Sequence, residues 1–205
     1  MQPWYDCRIA PEKHIETIID SLAKSATRDW ELHVIGDAET SDLTTSLKDY
    51  SEKIGVKNSV IWHGWSAYPW TVAAAADAVI LASEYEGFPL VLVEALANGK
   101  PVISTPVDAA KEIITPGKNG WLFNFNDSDM LAEILDGISS EQLPIPNADC
   151  CRNSVKSYKK ETALVDFEKK LFEIVSSPYR SELKNTADIL FFNDRISVII
   201  PCYNS

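Results

Sequence analysis

The chain has 205 residues, 45% of them hydrophobic and 24% charged, and this ordinary globular composition argues against disorder along its whole length. A formal net charge of −11 argues against a general nucleic-acid binder and against electrostatic docking on an anionic membrane, because both partners require a basic face. The sequence contains no apolar run long enough to span a membrane and no signal peptide, so we predict no nucleic-acid partner and no transmembrane segment.

The cysteines and histidines predict neither a metal site nor a disulfide framework. The cysteines are Cys7, Cys150, Cys151 and Cys202, and the histidines are His14, His33 and His63. The cysteine spacing fits neither zinc coordination nor a disulfide scaffold, and the histidines are scattered along the chain. Reduced thiols are the simplest interpretation, so we predict a cytoplasmic protein.

The N-terminal part of the chain alternates predicted strands with predicted helices. Short β-branched and apolar runs predict strands at Trp4–Ile9, Glu31–Gly36, Ser59–His63, Ala78–Ala82, Pro101–Thr105 and Gly120–Phe123. Amphipathic stretches predict helices at His14–Lys24, Ser41–Ile54, Pro89–Asn98, Ala109–Ile114 and Ser128–Ile138. This alternation predicts an α/β fold, a Rossmann-like parallel sheet with helices on both faces, whose ligands bind at the carboxyl ends of the strands.

The pattern changes after Leu143. The segment Asn153–Ser176 predicts one long, charged, amphipathic helix, and the polar residues 177–195 predict a linker. Ile196–Ser205, "ISVIIPCYNS", predicts a buried strand and a turn, which we interpret as the truncated start of another domain; a chance apolar tail is the alternative. We therefore predict one domain at 1–176, a linker at 177–195 and the first strand of a second domain at 196–205.

The predicted helix at Pro89–Asn98 combines an apolar sequence with a carboxylate, and a second carboxylate, Glu86, lies just before it. One helical face, defined by the i, i+3, i+4 and i+7 spacing, holds Leu90, Val93, Glu94 and Ala97. We therefore expect Glu94 in the middle of the hydrophobic face. Helical side chains lean toward the N-terminus, so we expect Glu94 to point back toward Glu86.

The start of this helix predicts an anion site. Pro89 suits the first helical turn, and Gly87 allows a ligand to come close to the backbone. The backbone N–H groups of Leu90 and Val91 are expected to be free, and free N–H groups at a helix N-terminus bind anions. A sugar nucleotide needs both features, amides for its diphosphate and carboxylates for its hydroxyls. The alternative is that each glutamate makes only a local cap, an ion pair or a solvated loop charge.

The stretch "EGFPLVLVEALANGKPVIST" resembles the signature of the retaining nucleotide-sugar glycosyltransferases of family 4, in which seven residues separate two glutamates. The next residues, "GKPVISTPVDAAKEIITPGKNGWLF", also match that family's pattern. The resemblance extends back through "VIWHGW" and "ELHVIGD" to "RIAPEKHIETIIDSL", and so covers about Trp4 to Ile138. It implies the C-terminal, donor-binding half of a GT-B fold, in which two Rossmann-like halves enclose the reaction.

The resemblance also implies roles for the residues of the motif. Glu94 would hold the ribose hydroxyls of the nucleotide, and Glu86, at the catalytic centre, would hold a hydroxyl of the donor sugar. The backbone of Gly87, Phe88 and Pro89 would line the sugar and the diphosphate.

Two cations follow the first predicted strand, Arg8 and Lys13 in "CRIAPEKH". In the family the matching pair contacts the diphosphate, whose developing charge must be neutralised as it leaves; two ordinary surface charges are the alternative. Asp6 and Cys7 replace the family's usual Val-Gly, so the sequence departs from the pattern just before Arg8. By the resemblance, Arg8 and Lys13 would do the work that a divalent metal does in other transferases, and we predict a metal-independent enzyme with no cofactor besides its UDP-sugar substrate.

The base of the nucleotide is expected near the ends of the second and third predicted strands. Gly36 closes one of these strands, and the loop after the other contains Trp65, Tyr68 and Trp70, which either stack on the base or belong to the core. The stretch "GWSAYPW" resembles a subset of the family that builds bacterial lipopolysaccharide or capsule chains with UDP-galactose or UDP-glucose.

The resemblance further implies partners outside this sequence. We expect an N-terminal acceptor domain to be missing and the acceptor to be a saccharide or lipid-linked saccharide. Missing parts would then hold the enzyme at the inner face of the membrane. The final "ISVIIPCYNS" resembles the opening strand of family 2 glycosyltransferases, which have a GT-A fold.

Two other classes of function remain open from the sequence. One is a sugar-nucleotide epimerase on the same two-halved scaffold, and the other is a non-catalytic module that binds nucleotide sugars or a partner transferase. The order of the motif and the pair formed by Arg8 and Lys13 favour sugar transfer.

Overall fold

The computed structural model describes residues 8–27, 30–38, 41–107, 109–158 and 169. The chain divides into two compact units, 1–158 and 159–205, and the fold below is that of the first unit. Its strands are β1 (Arg8–Ile9), β2 (Leu32–Ile35), β3 (Asp37–Ala38), β4 (Val60–Gly64), β5 (Val79–Leu81), β6 (Val102–Ser104) and β7 (Gly120–Leu122). Its helices are α1 (Ile15–Lys24), α2 (Ser41–Lys53), α3 (Pro69–Ala73), α4 (Leu90–Ala97), α5 (Ala110–Ile113), α6 (Ser128–Ser139) and α7 (Ala148–Ser154).

Every pairing between the described strands is parallel. β1 pairs with β3, β2 with β4, and β6 lies between β5 and β7. Parallel neighbours need crossover connections, and helices supply them along this chain. The predicted α/β fold with parallel strands and flanking helices is therefore confirmed.

A first hydrophobic cluster packs α1 against α6. Ile18, Ile19 and Leu22 on α1 are buried with Leu131 and Leu135 on α6. Full burial of each such side chain stabilises the fold by roughly 1.5–3 kcal/mol. This packing holds the start of α1, and with it the loop after β1, in a fixed place.

A second cluster surrounds α4. Leu92 and Leu96 of α4 are buried together with Val102 of β6, Ile113 of α5 and Cys151 of α7. Burial raises the pKa of the Cys151 thiol above its ordinary value. This thiol therefore acts as a core side chain.

Gly120 permits close contact between β6 and β7. A Cβ atom at this position would lie 2.0 Å from the backbone oxygen of Val102. No side chain fits at that separation, so glycine is required at the start of β7.

The helix predicted at Asn153–Ser176 is wrong at its start. α7 already begins at Ala148, where the Asn147 side chain accepts a hydrogen bond from the Cys150 N–H at 2.8 Å. It ends at Ser154, because Val155 leaves the helical region with φ −112°, ψ 14°. A 3-10 turn at 156–158 follows.

Several other predictions differ from the fold or fall beyond it. The short elements β3 and α3 were not predicted from the sequence. Residues 4–7 of the first predicted strand, the predicted linker at 177–195 and the predicted strand at 196–205 lie outside the described residues. Among the described helices, none combines the length and apolar character needed to cross a membrane.

Candidate functional site

The buried face of α4 differs from the predicted one. Leu92, Ala95 and Leu96 are buried, whereas Leu90 is 62% exposed and Glu94 is half-buried. The expectation that Glu94 lies in the middle of the hydrophobic face is therefore wrong. Seven of the eight residues in "LVLVEALA" are apolar and surround the helix, so the periodicity does not choose a face.

Glu94 meets Trp70 of α3. The indole N–H of Trp70 donates a hydrogen bond to Oε2 of Glu94 at 3.3 Å. Burial raises the pKa of Glu94 above its ordinary value, and the hydrogen bond from Trp70 lowers it in part. Trp70 also packs against the second hydrophobic cluster, in agreement with the core alternative for this ring, while its N–H contacts the motif directly.

Glu86 lies in the loop between β5 and α4 and binds two donors with one oxygen. Lys13 Nζ and Ser83 Oγ each lie 2.7 Å from Glu86 Oε1. The carboxylate is 16% exposed and the Lys13 side chain 28% exposed, so this ion pair faces solvent only partly. Two of the predicted site residues, far apart in sequence, are thus in direct contact.

Two buried hydroxyl residues hold Glu86 in place through consecutive hydrogen bonds. Ser83 and Thr105 are both buried, and Thr105 Oγ1 donates to the backbone oxygen of Ser83 at 2.7 Å. The chain Thr105, Ser83, Glu86 fixes the carboxylate relative to β6. Our sequence reasoning missed both hydroxyl residues, although Ser83 directly follows one predicted strand and Thr105 ends another, which was a usable signal.

The loop after β1 is tied to the loop before α4. The N–H of Glu84 donates to the backbone oxygen of Glu12 at 3.0 Å, and His14 Nε2 lies 3.6 Å from Glu84 Oε2. His14 has a left-handed backbone, φ 45°, ψ 49°, and its ring meets the edge of Phe125 at 4.6 Å between centroids. Its conformation turns the chain from Lys13 into α1. We call the region formed by Lys13, Glu86 and the first turn of α4 the α4 entrance.

The remaining motif residues line the α4 entrance unequally. Gly87 and Phe88 are exposed and Pro89 is buried. The Leu90 N–H donates to the Phe88 backbone oxygen at 2.8 Å, so the expectation that it is free is wrong. A tight turn before α4 uses this donor, and Val91, 38% exposed, remains as the expected backbone donor of the first turn.

The predicted base-binding residues lie at the ends of β2 and β4. Gly36 has φ 134° and Gly64 has φ 70°, and the Gly36 N–H donates to the Gly64 oxygen at 2.8 Å. Trp65 and Tyr68 are 66% and 72% exposed, so neither belongs to the core.

The backbone of Arg8 lies in β1, and its guanidinium group lies outside what the structure describes. Within the described residues, no group of three or more His, Cys, Asp or Glu side chains is placed to hold a metal ion.

The family model of glycosyl transferases group 1 matches residues 7–159 of the chain. The chain belongs to this family. The lipopolysaccharide 1,6-galactosyltransferase of Salmonella typhimurium is 36% identical over 117 residues, which are 55% of this chain and 32% of that protein. An uncharacterised 41.2 kDa protein in the cps region of Klebsiella pneumoniae is 36% identical over 135 residues, covering 62% of this chain and 37% of that protein. The chain thus spans about a third of these curated relatives.

Solved glycosyltransferases share the fold. The apo form of the lipopolysaccharide outer core galactosyltransferase WaaB has a TM-score of 0.73 and 29% identity, with 81% of this chain and 47% of that chain covered. HepE of Anabaena in complex with UDP has a TM-score of 0.69 and 27% identity, with 82% and 46% covered. The C-terminal domain of a group 1 glycosyl transferase from Francisella tularensis has a TM-score of 0.66 and 30% identity, with 75% and 83% covered.

Proposed function

We propose that this chain is the donor-binding, C-terminal half of a retaining glycosyltransferase of family 4. The enzyme would transfer a hexosyl group from a UDP-sugar to a growing lipopolysaccharide or polysaccharide acceptor. The observation that carries this proposal is the contact of Lys13 with Glu86 at the α4 entrance, since it joins a phosphate-binding cation to a hydroxyl-binding carboxylate. The UDP complex of HepE and the match to an isolated C-terminal domain support it.

The donor would be held through groups that the fold already aligns. The UDP diphosphate carries more charge than Glu86, so it would draw Lys13 away from the carboxylate, and Arg8 would bind the same diphosphate. Oε1 of Glu86, which keeps its hydrogen bond from Ser83, could then accept a hydroxyl of the donor sugar. Glu94 would accept the ribose hydroxyls, and Trp65 would stack on the base.

The reaction breaks the bond between the anomeric carbon and the diphosphate oxygen, and the diphosphate leaves with the electron pair. An acceptor hydroxyl attacks the anomeric carbon on the same face and passes its proton to an oxygen of the departing diphosphate. The side chains of Lys13 and Arg8 would neutralise the developing negative charge, which is the task of a metal ion in other transferases. Metal independence is therefore part of the proposal.

The sugar is proposed to be galactose or glucose, because relatives include galactosyltransferases of lipopolysaccharide. The acceptor would be a saccharide or lipid-linked saccharide, presented by a second domain across the donor site. Such an acceptor would bring the enzyme to the inner face of the cytoplasmic membrane.

Calorimetric titration of the 205-residue chain with UDP tests the proposal. We expect binding in the high micromolar range or weaker, about −5 kcal/mol, with and without EDTA. Lys13→Gln should weaken it, whereas Lys53→Gln, an exposed lysine at the end of α2, should not. Binding that EDTA abolishes and magnesium restores would contradict metal independence, and no binding of any UDP compound would contradict the donor-binding role.

A further inference from the structure

The helix that carries Trp70, α3, is held in place by contacts outside the segment from Glu86 to Glu94. α3 starts at Pro69, which suits the first helical position. Just beyond its other end, Lys100 Nζ donates to the backbone oxygens of Ala74 and Ala76 at 2.6 and 2.7 Å. Because Lys100 directly precedes the residues leading into β6, α3 is fastened to the same part of the fold that carries α4. These contacts therefore fix the position of the Trp70 indole relative to Glu94.

The chemistry of this contact allows only one arrangement of donor and acceptor. An indole has one N–H donor and no acceptor, so Oε2 of Glu94 must accept the hydrogen bond from Trp70. The other oxygen, Oε1, makes no hydrogen bond to any residue that the structure describes. One oxygen of the carboxylate is thus occupied and oriented, and the other is available to a ligand.

We propose that Trp70 is a positioning residue for nucleotide binding: its indole N–H orients the Glu94 carboxylate so that Oε1 accepts the ribose hydroxyls of the donor. This inference rests on the proposed role of Glu94. It assigns to α3, an element outside the two-glutamate motif, a share in forming the donor site.

The same hydrogen bond favours the ionised form of Glu94. Burial raises the pKa of Glu94, and the Trp70 indole opposes that shift. The charged or titratable side chains on helices packed against α4 are Lys111 and Glu112 on α5 and Asp149, Cys150, Cys151 and Arg152 on α7. The residues of α3, β5 and β6 include no ionisable side chain. Loss of the indole N–H should therefore raise the pKa of Glu94 further.

The test is the UDP affinity of the full chain at about pH 5 to 8, measured for wild type and for Trp70→Phe, which keeps an aromatic ring but removes the N–H. At the upper pH we expect Trp70→Phe to bind UDP about tenfold more weakly. As the pH falls, Glu94 becomes protonated and affinity drops, and this drop should begin at a higher pH in Trp70→Phe. The terminal phosphate of UDP titrates near pH 6 in every sample, so the shift between variants is the readout.

Trp30→Phe is the matched control. The indole N–H of Trp30 is buried without a hydrogen-bond partner in the described structure, so the same substitution there removes no contact. We expect Trp30→Phe to match wild type in affinity and in pH profile. Glu94→Gln supplies a second measurement that does not depend on the folding of Trp70→Phe. Because glutamine does not titrate, this variant should lose the part of the acid limb that belongs to Glu94.

Three outcomes would overturn the inference. They are wild-type affinity in Trp70→Phe, an equal loss at every pH without a shifted acid limb, and a wild-type acid limb in Glu94→Gln. The second outcome would make Trp70 a packing residue only. Absence of UDP binding in wild type would overturn the proposed function as well, so the two failures are distinguishable.

Discussion

The two glutamates of the motif are held by different partners, and this difference separates their expected effects. Glu86 is bound by Lys13 and Ser83, whereas Glu94 is bound by Trp70. In the proposed donor complex, Glu86 lies near the cation assigned to the diphosphate and is suited to the sugar, and Glu94, farther along α4, is suited to the ribose.

We therefore expect Glu94→Ala to weaken UDP binding by roughly 1.5–3 kcal/mol, the value of hydrogen bonds to a charged acceptor. Glu86→Ala should leave UDP binding less affected but reduce the preference for UDP-sugar over UDP. Calorimetric titration with both ligands measures this, and Glu133→Ala, an exposed carboxylate on α6, serves as the control. Equal losses of UDP affinity in the two site variants would contradict the assignment.

His14 has an unfavourable backbone conformation for a residue with a side chain. Its φ of 45° lies in the left-handed region, which costs about 1–2 kcal/mol for a non-glycine residue. Residues held in such conformations cluster at functional sites. Here the conformation directs the chain from Lys13 into α1.

We expect His14→Gly to be more stable than His14→Ala by about 1 kcal/mol, because both lack the ring and only glycine adopts this φ freely. Urea unfolding of the two variants measures the difference. At Ser46, an exposed position within α2, the order should reverse, since alanine favours a helix by about 1 kcal/mol over glycine. The same order at both positions would show that the left-handed conformation is absent in solution.

Where α1 packs on α6, the Asp136 carboxylate accepts hydrogen bonds from the residues that follow α1. Asp136 of α6 accepts hydrogen bonds from the N–H of Ala26 at 2.9 Å and from Ser25 Oγ at 2.6 Å, just after α1 ends. Burial raises the pKa of Asp136, but these bonds and those from Thr27 together lower it by more, to below its ordinary value of 3.8. The carboxylate thus satisfies backbone donors that follow α1.

Asp136→Asn should lower the free energy of unfolding by about 1–2 kcal/mol near pH 7. Since the folded pKa is depressed, the wild-type advantage is present above the unfolded pKa and is lost as the pH falls through the folded value. The difference between the two proteins should therefore shrink below about pH 4. Urea unfolding at several pH values measures it, with Asp49→Asn on the exposed face of α2 as the control. A difference that does not change with pH would contradict the role of the charge.

At the scale of the whole molecule, the chain covers less than half of the solved WaaB and HepE chains. Sugar transfer needs the acceptor hydroxyl to be held beside the anomeric carbon, and such positioning supplies much of the rate. We expect the 205-residue chain by itself to bind donor but to transfer no sugar. A radiolabelled donor offered with a membrane-lipid acceptor extract tests this, with slow hydrolysis of the donor as the expected background. Turnover like that of an ordinary transferase would refute it.

Local signals in the sequence were sufficient for the order of most elements. The β-branched and apolar runs at β2, β4, β5, β6 and β7 alternate with amphipathic helices, and that periodicity depends only on neighbouring residues. The motif from Glu86 to Glu94 also lies within one short stretch, so the sequence alone indicated a nucleotide-sugar glycosyltransferase. The sequence shows Gly120 as part of the family pattern. It does not show that the nearby backbone oxygen of Val102 leaves no room for a side chain at this position.

The tertiary structure decided how these pieces meet. Glu86 meets Lys13 across 73 residues of sequence and Glu94 meets Trp70 across 24, and no local pattern encodes either contact. The buried face of α4 was equally undetermined, because a helix with apolar residues on every side is oriented only by the surfaces that pack on it. α7 likewise starts where the Asn147 cap allows and ends at Ser154, just before the buried Val155. The sequence by itself thus determined the elements and the family motif, and long-range packing determined which side chains form the site.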